Sequence, residues 1–342
     1  MKPLSQFVLT LLATLSVIQA ASVAPRNNDY FLSEFLDALN KNNLTTLANS
    51  YEKIAQTDAG GEVIDALKNN GKVTLLAPEN ESFKSSTDEL GANVLLYNTI
   101  WGSIYEHFKT SKNYLSRRGS THSRDIAQTA YPRPAGSRKR TYNLQDYQVQ
   151  VIDQFSNNDS DSWKRWSNDP LILIDRAVGS AKVVGSFTFK NIIVLIIDSV
   201  LSLPGKVSDL LCKPLIKNAP EGFVKFGSAL QKAGLLNSLD NRGARLTLFA
   251  PIDDEFCDID KFSKEELKSF LKNHFFFGKV VFSPLFPSVR KATAESGKQL
   301  EFLFENDINY VRCGNTKAAV LRSDVISENG VLHVIDRPLK CD

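Results

Sequence analysis

The sequence predicts an α+β protein made of two similar units, and three observations support this prediction. A short apolar segment that a proline stops occurs twice with the same internal spacing. A longer segment with the pattern of two paired strands also occurs twice, once in each half. Amphipathic helical patterns precede both short segments. Because a repeat in sequence indicates a repeat in structure, we expect two domains that each combine helices with a sheet.

The opening motif of each unit is a short strand. The segment from Thr74 to Pro78 leads to Phe83, and the segment from Thr247 to Pro251 leads to Phe256 with identical spacing. A proline cannot donate to a β-ladder, so each strand should end there. The polar residues that follow suit the capping of a next helix, and we expect that role for Glu79, Asn80, Asp253 and Asp254.

The closing motif of each unit is a predicted β-hairpin. The segment from Ala181 to Leu201 aligns without a gap on the segment from Ala319 to Leu339. In the second unit the turn is Asn329-Gly330, which is a strong hairpin signal. The first unit has Ile192 in place of the glycine, so we expect its turn to differ.

Three helices follow from periodicity and capping signals. Two of them precede the opening strands, with apolar residues at helical spacing: Leu32, Phe35, Leu36 and Leu39; Phe223, Phe226, Leu230 and Ala233. Gly234 is a suitable end for the second of these helices. Ser263 and Glu266 form a capping box that should open the third.

The N-terminus has the pattern of a secretory signal peptide. Lys2 precedes an apolar run from Phe7 to Ile18, and Ala20 is a suitable cleavage residue, so we assign residues 1–20 to the signal. A membrane anchor is the alternative, but the run is short for a bilayer. We predict no transmembrane span elsewhere, because the apolar run from Ile192 to Ile197 is the length of a buried strand. The net charge of +3 gives no general attraction to nucleic acid.

In a secreted protein, cysteines can form disulfides and sequons can be glycosylated. Four cysteines allow three pairings into two disulfides, and we expect Cys257–Cys313 and Cys212–Cys341. Zinc is the alternative, but no two cysteines have the close spacing of a zinc knuckle. The sequence contains glycosylation sequons at Asn43, Asn80 and Asn158.

Domain boundaries follow from the repeat. We place the first domain at residues 29–203, a linker at 204–220 and the second domain at 221–340. The first domain contains a basic insertion at about residues 110–140, and between Lys112 and Arg140 it has eight Lys or Arg residues and one acid. We interpret the insertion as a flexible loop. It could be merely solvated, bind anionic polysaccharide, or be cleaved at the dibasic pair Lys139-Arg140.

Together the two motifs resemble the fasciclin domain. The second unit is similar over Thr247–Phe256, at His274 and over Asn329–Asp336, and the first is a divergent copy in which Leu195 replaces His333. The resemblance implies two tandem domains, each a β-wedge or sandwich flanked by helices, and an extracellular adhesion or matrix-binding role. It also implies binding residues near the closing strand and near the family's Tyr-His pair: Asp324, Val325, Ile326, Asn273 and His274.

Side-chain chemistry favours a structural interpretation over a catalytic one. His274 and His333 lie in apolar patterns, so we expect both to be buried and hydrogen-bonded. The acidic residues around Asp253 and Asp258 could bind calcium, but their spacing differs from that of a calcium loop, and we predict no metal. The sequence has no nucleophile motif, so we predict no enzyme and no cofactor.

We therefore expect a secreted, extracellular protein that binds matrix, cell-surface or cell-wall components, and such a partner could retain it at the cell surface or wall. Two alternatives stay open. The aromatic runs Phe275–Phe277 and Phe282–Phe286 could line a site for an apolar small molecule, although core packing explains them better. A hydrolase acting on an extracellular polymer is the other, since paired carboxylates can be far apart in sequence.

Overall fold

The computed structural model describes eight parts of the chain. They are residues 28–68, 71–85, 90–104, 122–133, 146–155, 170–254, 256 and 262–341. Within these ranges no helix combines the length and the hydropathy that crossing a membrane requires.

The first domain begins with helices and continues as strands. Its helices are α1 (Asn28–Lys41), α2 (Thr45–Ala55), α3 (Gly60–Leu67) and α4 (Ala92–Tyr97), with a 3₁₀ turn at Asn80–Ser85. Its strands are β1 (Val73–Pro78), β2 (Thr99–Trp101), β3 (His122–Pro132), β4 (Tyr147–Phe155), β5 (Leu171–Asp175), β6 (Ser180–Phe189) and β7 (Ile192–Ile197). The strands pair in sequence order into a closed barrel.

The second domain repeats this plan. Its helices are α5 (Val207–Leu211), α6 (Val224–Lys232), α7 (Leu236–Leu239), α8 (Lys264–Leu271) and α9 (Phe286–Val289), with 3₁₀ turns at Lys272–His274 and Ser283–Leu285. Its strands are β8 (Leu246–Pro251), β9 (Phe275–Phe277), β10 (Lys291–Thr293), β11 (Gln299–Glu305), β12 (Ile308–Cys313), β13 (Thr316–Ser327) and β14 (Gly330–Ile335). They form one sheet in the order β10-β11-β12-β13-β14-β8-β9.

The opening and closing strands pair in the same register in both domains. Val73 of β1 is opposite Ile192 of β7, and Leu246 of β8 is opposite Gly330 of β14, in parallel ladders of six residues each. The α+β class and the repeat of the strands are therefore confirmed. The domains differ in closure, because the pair Ile100–Thr129 joins β2 to β3, whereas the corresponding β9 and β10 lie at the two ends of an open sheet.

Alternate residues of the opening strand enter two different cores. Leu75 faces the helices of the first domain and Leu76 faces the barrel interior. In the second domain Leu248 packs with the helices and Phe249 enters an aromatic core on the other face. The predicted helices supply the matching apolar faces, since Phe35, Leu39, Phe226 and Leu230 are all fully buried. This two-sided burial explains why the opening motif is continuously apolar.

The predicted difference between the two turns is confirmed. Lys190 adopts φ +50° before Ile192, whereas the second domain makes its turn without a left-handed residue at Glu328 or Asn329. Gly330 approaches the neighbouring strand closely, and a Cβ atom there would lie 2.0 Å from the carbonyl oxygen of Leu246. The glycine thus permits the close approach of β14 to β8 at this end of the ladder.

The ungapped alignment of the closing motifs needs one correction. It holds from the turn onwards, where Phe189 and Ser327 both pair with the first residue of the closing strand. At the far end Val183 pairs with Ile197 and Val320 pairs with Ile335, so β13 contains one residue more than β6 over this stretch. The additional residue belongs to a β-bulge around Asp324.

The expected linker at 204–220 is wrong as a separate segment. Residues of α5 and of the loop after it are buried in the helix-side core of the second domain: Val207, Leu210, Leu211, Leu215 and Ala219. Burial of these apolar side chains stabilises the second domain, so the second structural unit begins near Val207.

The interpretation of the basic insertion as a loop is also wrong in part. Residues 122–132 form β3, which pairs with β4 along most of its length. Alternating polar and apolar side chains allow this, with Ala127 inside the barrel. The dibasic pair Lys139-Arg140 lies outside the described residues.

The disulfide pairing differs from the expected one. Cys313 is bonded to Cys341, which ties the C-terminal segment to the end of β12. Both cysteines are buried beside the aromatic core. The pairings Cys257–Cys313 and Cys212–Cys341 are therefore wrong. Cys212 is an exposed free thiol, and Cys257 lies outside the described residues.

The polar residues after the opening strands cap a different helix from the expected one. The side chain of Asn80 accepts a hydrogen bond from the N–H of Thr46 at 3.0 Å, and thus caps α2, which precedes the strand. Asp253 does the same for α6, where it accepts from the N–H groups of Lys225 and Phe226 at 3.0 and 3.3 Å. The capping box at Ser263 and Glu266 is confirmed at the start of α8.

Candidate functional site

His274 holds the C-terminal segment onto the second domain. The ring is fully buried; its Nε2 accepts from the N–H of Leu339 at 2.9 Å, and its Nδ1 lies 3.3 Å from the carbonyl oxygen of Phe270. A neutral ring with this arrangement carries its proton on Nδ1. Burial lowers the pKa of His274 to about 4. The neighbouring Asn273 is also buried and donates to the carbonyl of Leu339 at 3.1 Å.

Asp324 forms the centre of a polar cluster inside the second domain. It adopts φ +64° at the β-bulge of β13, and its side chain is fully buried. Its Oδ1 accepts from the N–H of Ser283 at 2.7 Å, and its Oδ2 accepts from the hydroxyl of Ser283. The bulge thereby turns the carboxylate inward and fixes the turn at Ser283–Leu285.

His333 satisfies the backbone group that the bulge leaves unpaired. Its Nδ1 accepts from the N–H of Asp324 at 3.3 Å, and its Nε2 lies 2.9 Å from the carbonyl oxygen of Val281. Burial lowers the pKa of His333, while the nearby Asp324 carboxylate acts in the opposite direction. In the first domain Leu195 occupies the corresponding position, and β6 lacks the additional residue. The bulge and the histidine therefore occur together.

Ser283, Asp324 and His333 lie together but are not arranged for nucleophilic catalysis. The hydroxyl of Ser283 donates to the aspartate, and both ring nitrogens of His333 face backbone groups. A serine nucleophile needs a histidine nitrogen within hydrogen-bond reach of its hydroxyl. All three side chains are also buried. The burial and hydrogen bonding that we predicted for both His274 and His333 are confirmed.

Arg124 extends from β3 of the first domain to this cluster. Its Nε and Nη2 donate to the two carboxylate oxygens of Asp153, each at 2.8 Å, and its Nη1 lies 3.4 Å from Oδ2 of Asp324. Burial opposes the charge of Arg124, but the carboxylates of Asp153 and Asp324 outweigh it and raise the pKa of the arginine. Burial likewise favours protonation of Asp153, but hydrogen bonds from His122 and Arg124 lower its pKa.

Arg322 makes the reciprocal contact from the second domain to the first. Its Nη2 donates to Oδ1 of Asp175 at 2.9 Å, and its Nη1 donates to the carbonyl oxygens of Ala177 and Leu215 at 2.8 and 2.5 Å. Burial raises the pKa of Asp175 although Arg322 and Arg124 oppose this shift. Each domain thus contributes an arginine that pairs with an aspartate of the other.

Polar and apolar contacts extend the interface. Gln148 of β4 donates to the carbonyl oxygen of Glu328 at 2.6 Å, and Arg245 pairs with Asp146 at 2.6 Å. One apolar cluster contains residues of both domains: Val149, Val280, Phe282 and Val331. Charged pairs, amide hydrogen bonds and apolar packing therefore fix the two domains against one another.

A cleft of about 280 Å³ lies beside these contacts. Both domains and the segment between them line it: Tyr97, Gln150, Asp175–Val178, Leu201–Gly205, Lys213 and Asp324–Ile326. Val325 is buried in the helix-side core, and Ile326 is half-buried against the interdomain cluster. The structure thus brings Asp324, Val325 and Ile326 together at the domain interface, whereas His274 and Asn273 anchor the C-terminal segment.

The described sequons differ in their surroundings. Asn43 is exposed at φ +58° between α1 and α2. The amide nitrogen of Asn80 donates to the carbonyl of Asn43 at 2.8 Å and to the hydroxyl of Thr45 at 3.1 Å, so this side chain already has structural partners. Asn158 lies outside the described residues.

The acidic residues that we considered as calcium ligands have a different role where the structure describes them. Asp253 caps α6, and Asp258 lies outside the described residues. Among the residues whose positions are given, no three His, Cys, Asp or Glu side chains are grouped so as to hold a metal ion.

Sequence reasoning missed the residues that join the domains. Arg124 and Arg322 are separated by about half of the chain, and Arg124 lies outside the repeated motifs, whereas Arg322 lies in the closing motif of the second domain. The sequence contained one signal of these contacts, since an arginine stands next to a polar or acidic residue in the strand patterns of both β3 and β13. The partner of such an arginine depends on tertiary structure, which the pattern does not contain.

Comparison with known proteins finds a family similarity in the second domain. Residues 221–341 match the fasciclin domain. A curated relative, the fasciclin-like arabinogalactan protein elcF of Phaeosphaeria nodorum strain SN15, is 29% identical over 123 residues, which cover 35% of this chain and 38% of the relative. The aligned region therefore spans less than half of that protein.

A similar solved structure is a FAS1 domain pair from the insect cell adhesion molecule Fasciclin I. The TM-score is 0.38 at 19% sequence identity, and the match covers 85% of this chain and 95% of the other.

Proposed function

Since residues 221–341 match the fasciclin domain and the preceding domain repeats their strand order, we propose that this chain is a secreted binding protein. It acts by attachment to matrix, cell-surface or cell-wall components and does not catalyse a reaction. The signal pattern of residues 1–20 and the sequons support secretion and glycosylation.

The observation that carries the proposal is that the polar residues of the motifs form hydrogen bonds inside the second domain. His274, Asp324 and His333 are the side chains that would be expected to act in a catalytic or binding site. All three are buried, and each is hydrogen-bonded to backbone groups of neighbouring loops or strands. This arrangement supports a rigid module that presents a surface. Direct contact with a partner would then come from residues around the buried motif, such as the half-exposed Ile326.

Two basic residues of the insertion are engaged in contacts within the protein and are not available to a polysaccharide. Arg124 pairs with Asp153 and Asp324, and Arg133 is buried with a hydrogen bond to the carbonyl of Tyr147 at 2.9 Å. These two cations are therefore part of the fold. Binding of an anionic polysaccharide by the insertion would depend on its other basic residues, all of which lie outside the described ranges.

A solid-phase binding assay tests the proposed function. The full mature chain would be applied to cell walls, matrix proteins and purified wall polysaccharides at low and moderate salt. We expect saturable binding to at least one of them that persists at moderate salt, because salt screens interactions between charges and weakens hydrophobic contacts little. Binding that disappears with salt would assign attachment to the basic insertion, and an absence of binding to every surface would contradict the proposal.

A further inference from the structure

The cleft between the two domains has an uncompensated positive charge. Arg176 and Lys213 line it, both are exposed, and neither has an ion-pair partner among the described residues. The two carboxylates of the cleft are already neutralised, because Asp175 pairs with Arg322 and Asp324 lies beside Arg124. An anionic group entering the cleft therefore meets these two cations and, among the lining residues that the structure describes, no carboxylate without a cationic partner.

The walls of the cleft also offer groups that suit hydroxyls. Gln150 is almost fully buried and donates through Nε2 to the carbonyl of Tyr97 at 3.2 Å, which leaves its Oε1 as an acceptor. Ser202 is exposed at the edge and can donate or accept. Leu203 and Pro204 supply an apolar wall. Binding sites for small molecules typically combine an apolar lining with a few polar groups of this kind.

The size of the cleft sets the size of its ligand. Its volume of about 280 Å³ lies just below the range of roughly 300–1,000 Å³ that is usual for sites of drug-sized ligands. One small polar molecule fits this space, whereas a polymer could insert only a terminal or projecting unit.

We propose that the interdomain cleft binds a hydroxylated carboxylate of the size of one hexuronate unit. The carboxylate is placed between Arg176 and Lys213, and the hydroxyls hydrogen-bond to Gln150 and Ser202. The proposal deepens the proposed function and rests on it for the source of the ligand, since an acidic sugar unit would come from an extracellular polymer. The cleft needs both domains, so the arginine contacts between them keep the site assembled.

Isothermal titration of the full mature chain with glucuronate tests this site. Glucose has the same ring without the carboxylate, and acetate has the carboxylate without the ring; both should bind much more weakly than glucuronate. In the double variant Arg176→Gln/Lys213→Gln we expect the affinity for glucuronate to fall about tenfold, since each exposed ion pair contributes a factor of up to about five. The matched variant Lys217→Gln removes an exposed lysine outside the cleft and should leave the affinity unchanged.

Blocking the cleft gives a second test that does not depend on charge. Ser202 is exposed, so Ser202→Trp should fold normally and abolish glucuronate binding. Thermal unfolding of each variant checks the fold. Absence of glucuronate binding to the unmodified chain, equal binding of glucose, or full affinity in the double variant would overturn the proposal. Polymer binding that persists without glucuronate binding would overturn this inference alone, and glucuronate binding without attachment to any surface would uphold the cleft while contradicting the proposed function.

Discussion

We expect the buried His274 to make the second domain less stable in acid. His274 is neutral in the folded chain because burial lowers its pKa to about 4, whereas an unfolded histidine has a pKa near 6.5. Between these two values the unfolded state binds more protons than the folded state. The stability that the neutral ring contributes is therefore fully present above about pH 6.5 and decreases as the pH falls towards 4.

We expect the free energy of unfolding to fall by about 3 kcal/mol from His274 alone between pH 6.5 and pH 4. Urea unfolding of the full chain at several pH values measures this change. The variant His274→Gln lacks the titrating ring, so it should be less stable at pH 7 but show a flatter dependence on pH. Carboxylates titrate equally in both proteins, so the difference between the two curves is the measurement. Parallel curves would show that His274 does not control the acid response.

Sequence patterns predicted the burial of these histidines but not their partners. An apolar periodicity shows that the side chains of His274 and His333 face a core. It cannot show that one ring accepts from the N–H of Leu339 and the other from the N–H of Asp324. The second contact depends on a β-bulge, and a bulge of one residue is hidden in an alignment that is made without gaps.

At the scale of elements, the residues that follow each opening strand stabilise an earlier helix of the same domain. Asn80 and Asp253 occupy equivalent positions two residues after the proline, and each accepts hydrogen bonds from the first turn of α2 or α6. The first N–H groups of a helix have no partner within the helix, so a side chain from elsewhere can replace the usual cap. The sequence contained the capping residues, but it did not show which helix would come close to them.

Substitutions at Asn80 separate capping from glycosylation. We expect Asn80→Ala to lower the free energy of unfolding by about 1 kcal/mol, because the cap of α2 is lost. Asn80→Asp also removes the sequon and keeps the oxygen that caps α2, as Asp253 does for α6 in the second domain. It loses the hydrogen bonds that the amide nitrogen donates to Asn43 and Thr45, so we expect it to be less stable than the unmodified chain but more stable than Asn80→Ala. Chemical unfolding of unglycosylated protein measures both effects. Equal destabilisation by the two substitutions would contradict the capping role.

Elements that depend on local sequence were predicted correctly, whereas elements that depend on tertiary contacts were missed. The capping box at Ser263, the helix that ends before Gly234 and the paired strands depend on local spacing, and all are present in the structure. Strand β3 was missed because basic residues and prolines surround its alternating pattern. The disulfide Cys313–Cys341 was missed because its geometry depends on where the C-terminal segment docks.

At the scale of the whole molecule, the two arginines make the domains one structural unit. Arg124 and Arg322 cross the interface in opposite directions, and each pairs with aspartates in a half-buried environment. Removing either arginine leaves a partly buried carboxylate without its cation, which is costly. We therefore expect the contacts to couple the unfolding of the two domains.

We expect Arg322→Ala to weaken this coupling by about 2 kcal/mol, the scale of hydrogen bonds to a charged group. Calorimetry of the full chain should then show two resolved transitions where the unmodified protein shows one. Arg312→Ala is the control, because Arg312 is exposed and pairs with Glu301 inside the second domain. If Arg322→Ala unfolds like the control, the contacts do not couple the domains.

The parallel pairing of the first and last strands affects how each domain bears mechanical load. In the second domain β8 and β14 lie side by side and run in the same direction. A chain that is pulled from before β8 and after β14 loads this ladder in shear, so its interstrand hydrogen bonds resist together rather than one after another. Forced unfolding is governed by the rate of crossing such a barrier. A protein fixed to a surface at one end and to a partner at the other would therefore be held by its most deeply buried strands.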